Sequence, residues 1–241
     1  MGVGVEPDAY HLPHPRYGLP IILIIRRVLI RAFEILRERD DCPIGTAQED
    51  EITIALRGVI ENRLRQQRGE VSGFDRQTFE RVQRQHRGVN YSGTANKVEP
   101  DMRFTLRDDS RIGILSTEDG LTVECKPVDP KHSPTSAYCR EGVRRFVEGE
   151  YAWAMEEALM IAYARCGRAI ASHLLPAMST MSMRAELQVE ALPTPVGGEA
   201  AKADDATEAL HASVHQRSFS WRDGKGRATP ITIYHSWHRC D

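Results

Sequence analysis

A chain of 241 residues with 41% hydrophobic and 27% charged residues is long enough for one sizeable α/β domain, with room for an appended subdomain. A mean hydropathy of −0.44 argues against a membrane-embedded or disordered chain. A formal net charge of −2 excludes a protein that attracts polyanions through its overall charge, so any nucleic-acid contact has to be local.

Residues up to about Pro20 contain Pro and His and show little pattern. Ile21 to Arg39 reads as a helix with Ile21, Ile24, Ile25, Val28, Leu29, Ala32, Phe33 and Leu36 along one side. The apolar run Leu19 to Ile25 is too short for a bilayer, and Arg26, Arg27 and Arg31 soon interrupt it. No signal peptide precedes it, so no membrane contact is expected. After the stop at Asp40-Asp41-Cys42-Pro43, a second helix is predicted from Thr46 as N-cap, with Glu49 completing a capping box. Its apolar positions are Ile52, Ala55, Leu56, Val59, Ile60 and Leu64. At about 100° per residue, Glu49 lies near this stripe and Glu51 well off it. The two helices are expected to pair antiparallel over a sheet face or a subunit interface.

From Arg57 to Arg87 the chain carries Arg57, Arg63, Arg65, Arg68, Arg76, Arg81, Arg84 and Arg87 against four acids. Lys131, Arg144 and Arg145 form a second basic group. Such surfaces suit a phosphate backbone, although each arginine singly reads as part of a solvated face. A short helix is predicted around Phe74 to His86, then a loop at Asn90-Tyr91-Ser92-Gly93.

Two strands follow. Met102 to Leu106 places Phe104 and Leu106 on one face, directly after Pro100-Asp101. Asp108-Asp109-Ser110 and the loop Glu118-Asp119-Gly120 lead to Leu121-Thr122-Val123-Glu124-Cys125-Lys126, closed by Pro127. Alternation points Glu124 and Lys126 one way and Val123 and Cys125 the other. A solvated cross-strand ion pair would explain Glu124 and Lys126. Their apolar setting instead indicates a central strand, where an unpaired charge is costly. If the two strands are neighbours, Asp101 lies beside Glu124. That is an outline of a Mg²⁺ site, since this cation takes oxygen ligands, keeps waters and needs one or two carboxylates.

Asp129-Pro130-Lys131-His132-Ser133-Pro134 reads as a loop before a helix from about Thr135, with Tyr138, Val143, Phe146 and Val147 at helical spacing and a stop at Gly149. Another helix is predicted with Tyr151, Ala154, Met155, Ala158, Leu159, Ala162 and Tyr163 on one face. Ala191 to Ala206 reads as a linker or mobile loop. His215 to Trp221 and Thr229 to Trp237 alternate like two strands of a hairpin around Asp223-Gly224-Lys225-Gly226. His235, His238 and Cys240 have zinc-like spacing but lack a further Cys pair. Five widely spaced cysteines form no disulfide framework, which fits a reducing, cytoplasmic setting. No P-loop or dinucleotide Gly motif supports ATP-driven or nicotinamide chemistry.

Pro100-Asp101, with 22 residues before Glu124-x-Lys126, resembles the PD-(D/E)xK signature of the restriction-endonuclease-like nuclease superfamily. The resemblance covers roughly residues 46–165. It implies a mixed central sheet flanked by helices, built on a helix–strand–strand–strand–helix core. To this the sequence adds an N-terminal helix and a C-terminal hairpin. It implies metal-dependent phosphodiester hydrolysis with Glu49, Asp101, Glu124 and Lys126 as catalytic residues, Glu51 being second choice for the helix acid. Asp101, Glu124 and the backbone carbonyl of Cys125 would ligate Mg²⁺, for which Mn²⁺ substitutes. Lys126 would orient the attacking water or offset charge on phosphorus. Tyr138, Arg144 and Arg145, with Arg140, would border the cleft and hold a phosphate backbone. DNA is the expected substrate by analogy. A non-catalytic binding module of the same fold, or an oligomerisation protein using the first helix and terminal hairpin, are the rival readings. A homo-oligomer is compatible with each.

Overall fold

The computed structural model describes residues 12–39, 41–67, 69–83, 90–94, 99–107, 117–221 and 226–241. Asp40, Arg68, Arg84, His86, Arg87, Asp108-Asp109-Ser110 and Asp223-Gly224-Lys225 lie outside the described residues. The chain begins with α1 (Leu19–Arg37) and α2 (Glu49–Val59), which runs on into π-helical turns at Ile60–Leu64. Strands β1 (Phe79–Gln83), β2 (Met102–Leu106) and β3 (Leu121–Val128) follow. A π-helical segment, Pro134–Val143, tightens into α3 (Arg144–Val147) before β4 (Glu157–Ala164). Beyond it come α4 (Leu175–Ser179), α5 (Met181–Glu186), β5 (Val189–Pro195), β6 (His211–His215) and β7 (Ile231–Arg239).

Among the described residues the strands form one mixed sheet in the order β1-β2-β3-β4-β7-β6-β5. β3 and β7 both run parallel to β4, and the other pairings are antiparallel. Helices cover both faces. On one, Ile22, Ile25, Val28, Leu29 and Phe33 of α1 and Ile52 and Leu56 of α2 bury against Val123, Cys125, Leu159, Ile161 and Tyr163. On the other, Tyr138, Val143 and Phe146 bury with Ala158, Met160, Ala162, Ile233 and Trp237. The architecture is therefore α/β, a mixed sheet between helical layers. None of the described helices is long and apolar enough to cross a membrane. All five cysteines are free.

The start of α1 is anchored rather than merely capped. Gly18 adopts φ 80°, and the Glu157 carboxylate on β4 accepts from the backbone N–H of Gly18 at 3.1 Å and from that of Tyr17. α2 begins two residues later than the sequence suggested. Gln48 is its N-cap, with Glu51 accepting from the Gln48 N–H at 2.8 Å, whereas the Thr46 hydroxyl turns back to the Pro43 carbonyl at 3.4 Å.

Four expectations are corrected. The predicted helix over Tyr151 to Tyr163 is instead the central strand β4, every residue of which is buried. A strand paired on both edges by parallel neighbours and covered on both faces by helices loses its polar alternation, and its continuous apolar run then fits helical spacing equally well. The short helix expected around Phe74 to His86 is replaced in its described part by β1, with Phe79 and Val82 inward. The supposed linker contains β5, an edge strand whose prolines are tolerated because its outer side needs no ladder hydrogen bonds. Finally, the first strand of the C-terminal pair is His211–His215 rather than His215 to Trp221, and β7 is interior, between β4 and β6.

Arg217 shows how the chain after β6 is fastened. It has no exposed surface and donates to the carbonyls of Trp153 at 2.6 Å, Ala152 at 3.3 Å and Met155, with its guanidinium over the Phe219 and Trp221 rings. Burial lowers its pKa to about 9, so the group stays charged at neutral pH. Arg217→Met leaves those carbonyls without donors and is expected to destabilise the fold by roughly 3 kcal/mol or more. Urea midpoints measure this, and a difference below about 1 kcal/mol would contradict it.

Candidate active site

The β2–β3 register pairs Met102 with Val123 and Arg103 with Thr122. Continued by one residue, it sets Asp101 across from Glu124. Asp101 Oδ2 accepts from the backbone N–H of Cys125 at 2.6 Å, which ties the end of β2 to the middle of β3. Val123 and Cys125 enter the core under α1 and α2, while Gly142 of the opposite helical layer lies beside the Lys126 stem. The alternation read from the sequence thus separates the two faces of β3. The Cys125 thiol is fully buried, and burial raises its pKa well above the usual thiol value.

Glu124 is 1% exposed. Its Oε1 receives Arg145 Nη1 at 2.8 Å and Lys126 Nζ at 3.1 Å, while its Oε2 is buried with no hydrogen-bond partner. Lys126 Nζ also reaches Glu49 Oε1 at 2.7 Å. Glu49 is the first residue of α2, and it is Glu49 rather than Glu51 that joins the cluster, because Glu51 is committed to the capping box. Arg145 Nη1 further donates to the Tyr151 hydroxyl at 2.9 Å.

Three carboxyl groups, Asp101, Glu124 and Glu49, therefore face two cations, Lys126 and Arg145, an excess of one negative charge only when all three are ionised. The electrostatics follow. Burial, then Asp101, pushes the Glu124 carboxyl up to about 8 against the pull of Lys126 and Arg145. Burial also lifts Asp101 to about 6, opposed by Lys126 and by the Cys125 hydrogen bond. For Lys126, burial alone would lower the ammonium pKa, but Glu124 and Glu49 outweigh it and the net shift is upward. Lys126 is a permanent cation here, and Glu124 is the group most in need of positive charge.

The predicted backbone contacts separate. Tyr138 has no exposed surface, and its hydroxyl lies 3.0 Å from His235 Nδ1, so it is withdrawn from any surface a substrate can reach. It ends a buried relay in which His235 Nε2 meets Ser213 Oγ at 2.8 Å, Ser213 Oγ meets His215 Nε2 at 2.7 Å, and His215 Nδ1 meets the Leu187 carbonyl at 2.8 Å. A carbonyl only accepts, so His215 carries its proton on Nδ1 and every donor upstream is set, ending with Tyr138 donating to His235. Burial lowers both histidines, His215 to about 4, and keeps the relay neutral. Arg144, 41% exposed, pairs with Glu186 at 3.4 Å and Glu148 at 3.7 Å. Arg140 pairs with Glu186 at 3.0 Å. Arg145 is turned inward on Glu124 instead of outward toward a backbone. Sequence reasoning missed Tyr151, and nothing in its spacing from Arg145 marks it.

The zinc-like trio does not assemble. His235 faces the relay, whereas His238 stacks on Phe33 across the sheet at 4.2 Å and hydrogen-bonds Ser236 at 2.9 Å. Among the described residues no group of three or more His, Cys, Asp or Glu side chains is placed to hold a metal ion. A cation at Asp101 and Glu124 would accordingly rest on two carboxylates, backbone and water. Comparison with protein-family models, curated proteins and solved structures gave no match in any of the three.

Proposed function

We propose that the protein is a Mg²⁺-dependent endonuclease that hydrolyses phosphodiester bonds in DNA. The observation that carries this reading is the meeting of Asp101, Glu124 and Lys126 across β2 and β3, with Glu49 brought in by α2. The topology supports it as well. Three antiparallel strands followed by a helical crossover to a parallel fourth match the core that the PD-(D/E)xK resemblance implies.

The donor set fits Mg²⁺. Asp101 and Glu124 supply hard oxygens, Glu124 Oε2 is buried without a partner, and with Glu124 ionised the cluster carries one more negative than positive charge. A bound Mg²⁺ polarises the scissile phosphate and lowers the pKa of a water. The protein's own groups do the rest. Lys126 and Arg145, the latter also hydrogen-bonded to Tyr151, hold Glu124 on one oxygen and leave the other for a ligand. Lys126, held cationic between Glu49 and Glu124, orients the attacking water and offsets negative charge developing on the phosphoryl oxygens. DNA rather than RNA is assigned on the analogy with the superfamily.

The test is incubation of purified protein with supercoiled plasmid and with single-stranded DNA, in Mg²⁺, in Mn²⁺ and in EDTA. Nicking that needs the metal and disappears in Asp101→Ala and Lys126→Ala supports the reading. Salt-dependent DNA binding without cleavage by any form would replace it with a non-catalytic binding module. A concentration-dependent mass with neither property would leave an assembly protein.

A further inference from the structure

A cavity of about 610 Å³ opens beside the candidate site. Its lining includes Glu49, Pro127, Lys131, His132, Arg165 and Cys166. It sits where β3 and β4 end together, Val128 being paired with Ala164, and α2 begins across from it. The C-terminal edge of adjacent parallel strands is where open α/β sheets receive ligands. Pro127, the residue after Lys126, is on the cavity wall, and the lining Glu49 meets Lys126 Nζ at 2.7 Å, so the cavity adjoins Lys126 and is within reach of a neighbouring nucleotide.

The polar groups there are arranged to leave positive charge facing the cavity. The one further acid on its wall, Asp129, is spent on the protein. Its Oδ1 accepts from the N–H of Lys131 at 2.8 Å, from the N–H of His132 at 2.9 Å and from His132 Nδ1 at 3.0 Å. Its Oδ2 lies 3.7 Å from Arg165, whose guanidinium is fixed by the Ile44 and Ala47 carbonyls at 2.7 Å each. Glu49 is taken by Lys126. Lys131 is exposed and has no ion-pair partner among the described residues, and the Nδ1 contact leaves His132 Nε2 directed away from Asp129. A metal is a poor fit, because its would-be carboxylate ligands are already engaged. An anion of nucleotide size is a good fit for a cavity of this volume with a cationic rim.

We propose that this cavity holds the nucleotide next to the scissile phosphodiester of a single nucleic-acid strand, with Lys131 Nζ and, as imidazolium, His132 Nε2–H donating to its phosphate. The proposal rests on the nuclease reading of Asp101, Glu124 and Lys126. It gives the strand a direction across the protein, from the metal-binding carboxylates past Glu49 to the end of β3.

The experiment is fluorescence-anisotropy titration of a single-stranded oligothymidylate of roughly 12 nucleotides in EDTA, where no cleavage occurs. Wild type, Lys131→Ala and Lys131→Ala/His132→Ala are compared over a range of salt concentrations. Lys131→Ala is expected to raise Kd roughly fivefold near 0.1 M salt and to reduce the slope of log K against log salt by about 0.7, one phosphate contact on a single strand. The double variant should lose more. Lys131 is exposed, so an unchanged melting temperature verifies the variant's fold. Equal affinity and slope in all three proteins overturn the proposal, as does wild type that binds no oligonucleotide. Thymidine monophosphate bound as tightly as the oligonucleotide also overturns it, in favour of a free nucleotide. The two readings fail differently. Metal-dependent cleavage with Lys131-independent binding rejects the subsite alone, while Lys131-dependent binding with no cleavage in any metal rejects the nuclease.

Discussion

Asp101→Ala is expected to lower metal-dependent nicking by at least about 10³-fold, and Lys126→Ala by about 10²–10³-fold, with little change in melting temperature. The two effects have different origins. Asp101 supplies one of two carboxylates near the proposed cation and holds the Cys125 N–H at 2.6 Å, so its loss also leaves one strand donor unpaired. That structural cost is on the order of 1 kcal/mol, far too small to account for a thousandfold loss of rate through unfolding. Lys126 bridges Glu49 and Glu124 at 2.7 and 3.1 Å. Removing its ammonium takes away the positive group that, among the described residues, links α2 to the Glu124 carboxylate, and the remaining acids then repel. Mn²⁺ binding followed by electron paramagnetic resonance separates the roles. Asp101→Ala should lose the ion, whereas Lys126→Ala should retain it and lose turnover. Cleavage within tenfold of wild type in both variants rejects the site.

The second large effect is on stability against pH, and Glu124 produces it. Its carboxyl titrates near 8 in the fold, raised first by burial and then by Asp101, against 4.5 in a flexible chain. Between those values the folded protein keeps a proton that the unfolded chain has released. The contribution of this group is thus fully present below about pH 4.5 and is lost as pH rises through about 8. Asp101 acts with the same sign over a narrower window, from 3.8 to about 6. Glu124→Gln has no proton to lose. Without metal, the difference in unfolding free energy between variant and wild type is expected to move toward the variant by on the order of a few kcal/mol from about pH 5 to about pH 9. Lys126 and Arg145 lose a partner in the variant, which offsets the absolute difference but not its slope. Mn²⁺ at about pH 8 should raise the melting temperature of wild type and leave the variant unmoved. A difference that does not change with pH contradicts the buried-acid account.

Much of the site was readable because local rules place it. Period-two alternation separates Glu124 and Lys126 from Val123 and Cys125 whatever the rest of the fold does. The helical stripe of α2 distinguishes Glu49 from Glu51 by angle alone, and the capping role of Glu51 gives it a reason to stay away. Arg145 and Tyr138 were not readable in the same way. Both follow the site in sequence on one helical segment, yet one turns onto Glu124 and the other sinks into a relay ending at Leu187. Which way each points depends on the path of the π-helical turns and on β7, a strand almost one hundred residues away, and neither leaves a trace in spacing.

By itself the sequence determined the two helices at the start and the strand carrying Glu124 and Lys126. Each of these depends on contacts between near neighbours in the chain. Tertiary structure decided the rest. β4 is a strand because β3 and β7 pair with both its edges and helices bury both its faces, although its Ala-, Leu- and Met-rich sequence favours a helix in isolation. β5 is a strand because β6 offers it an edge, despite two prolines. The raised carboxyl of Glu124 exists only because sheet and helix together remove it from water, and burial is a property of the assembled fold that a local stretch of residues does not encode.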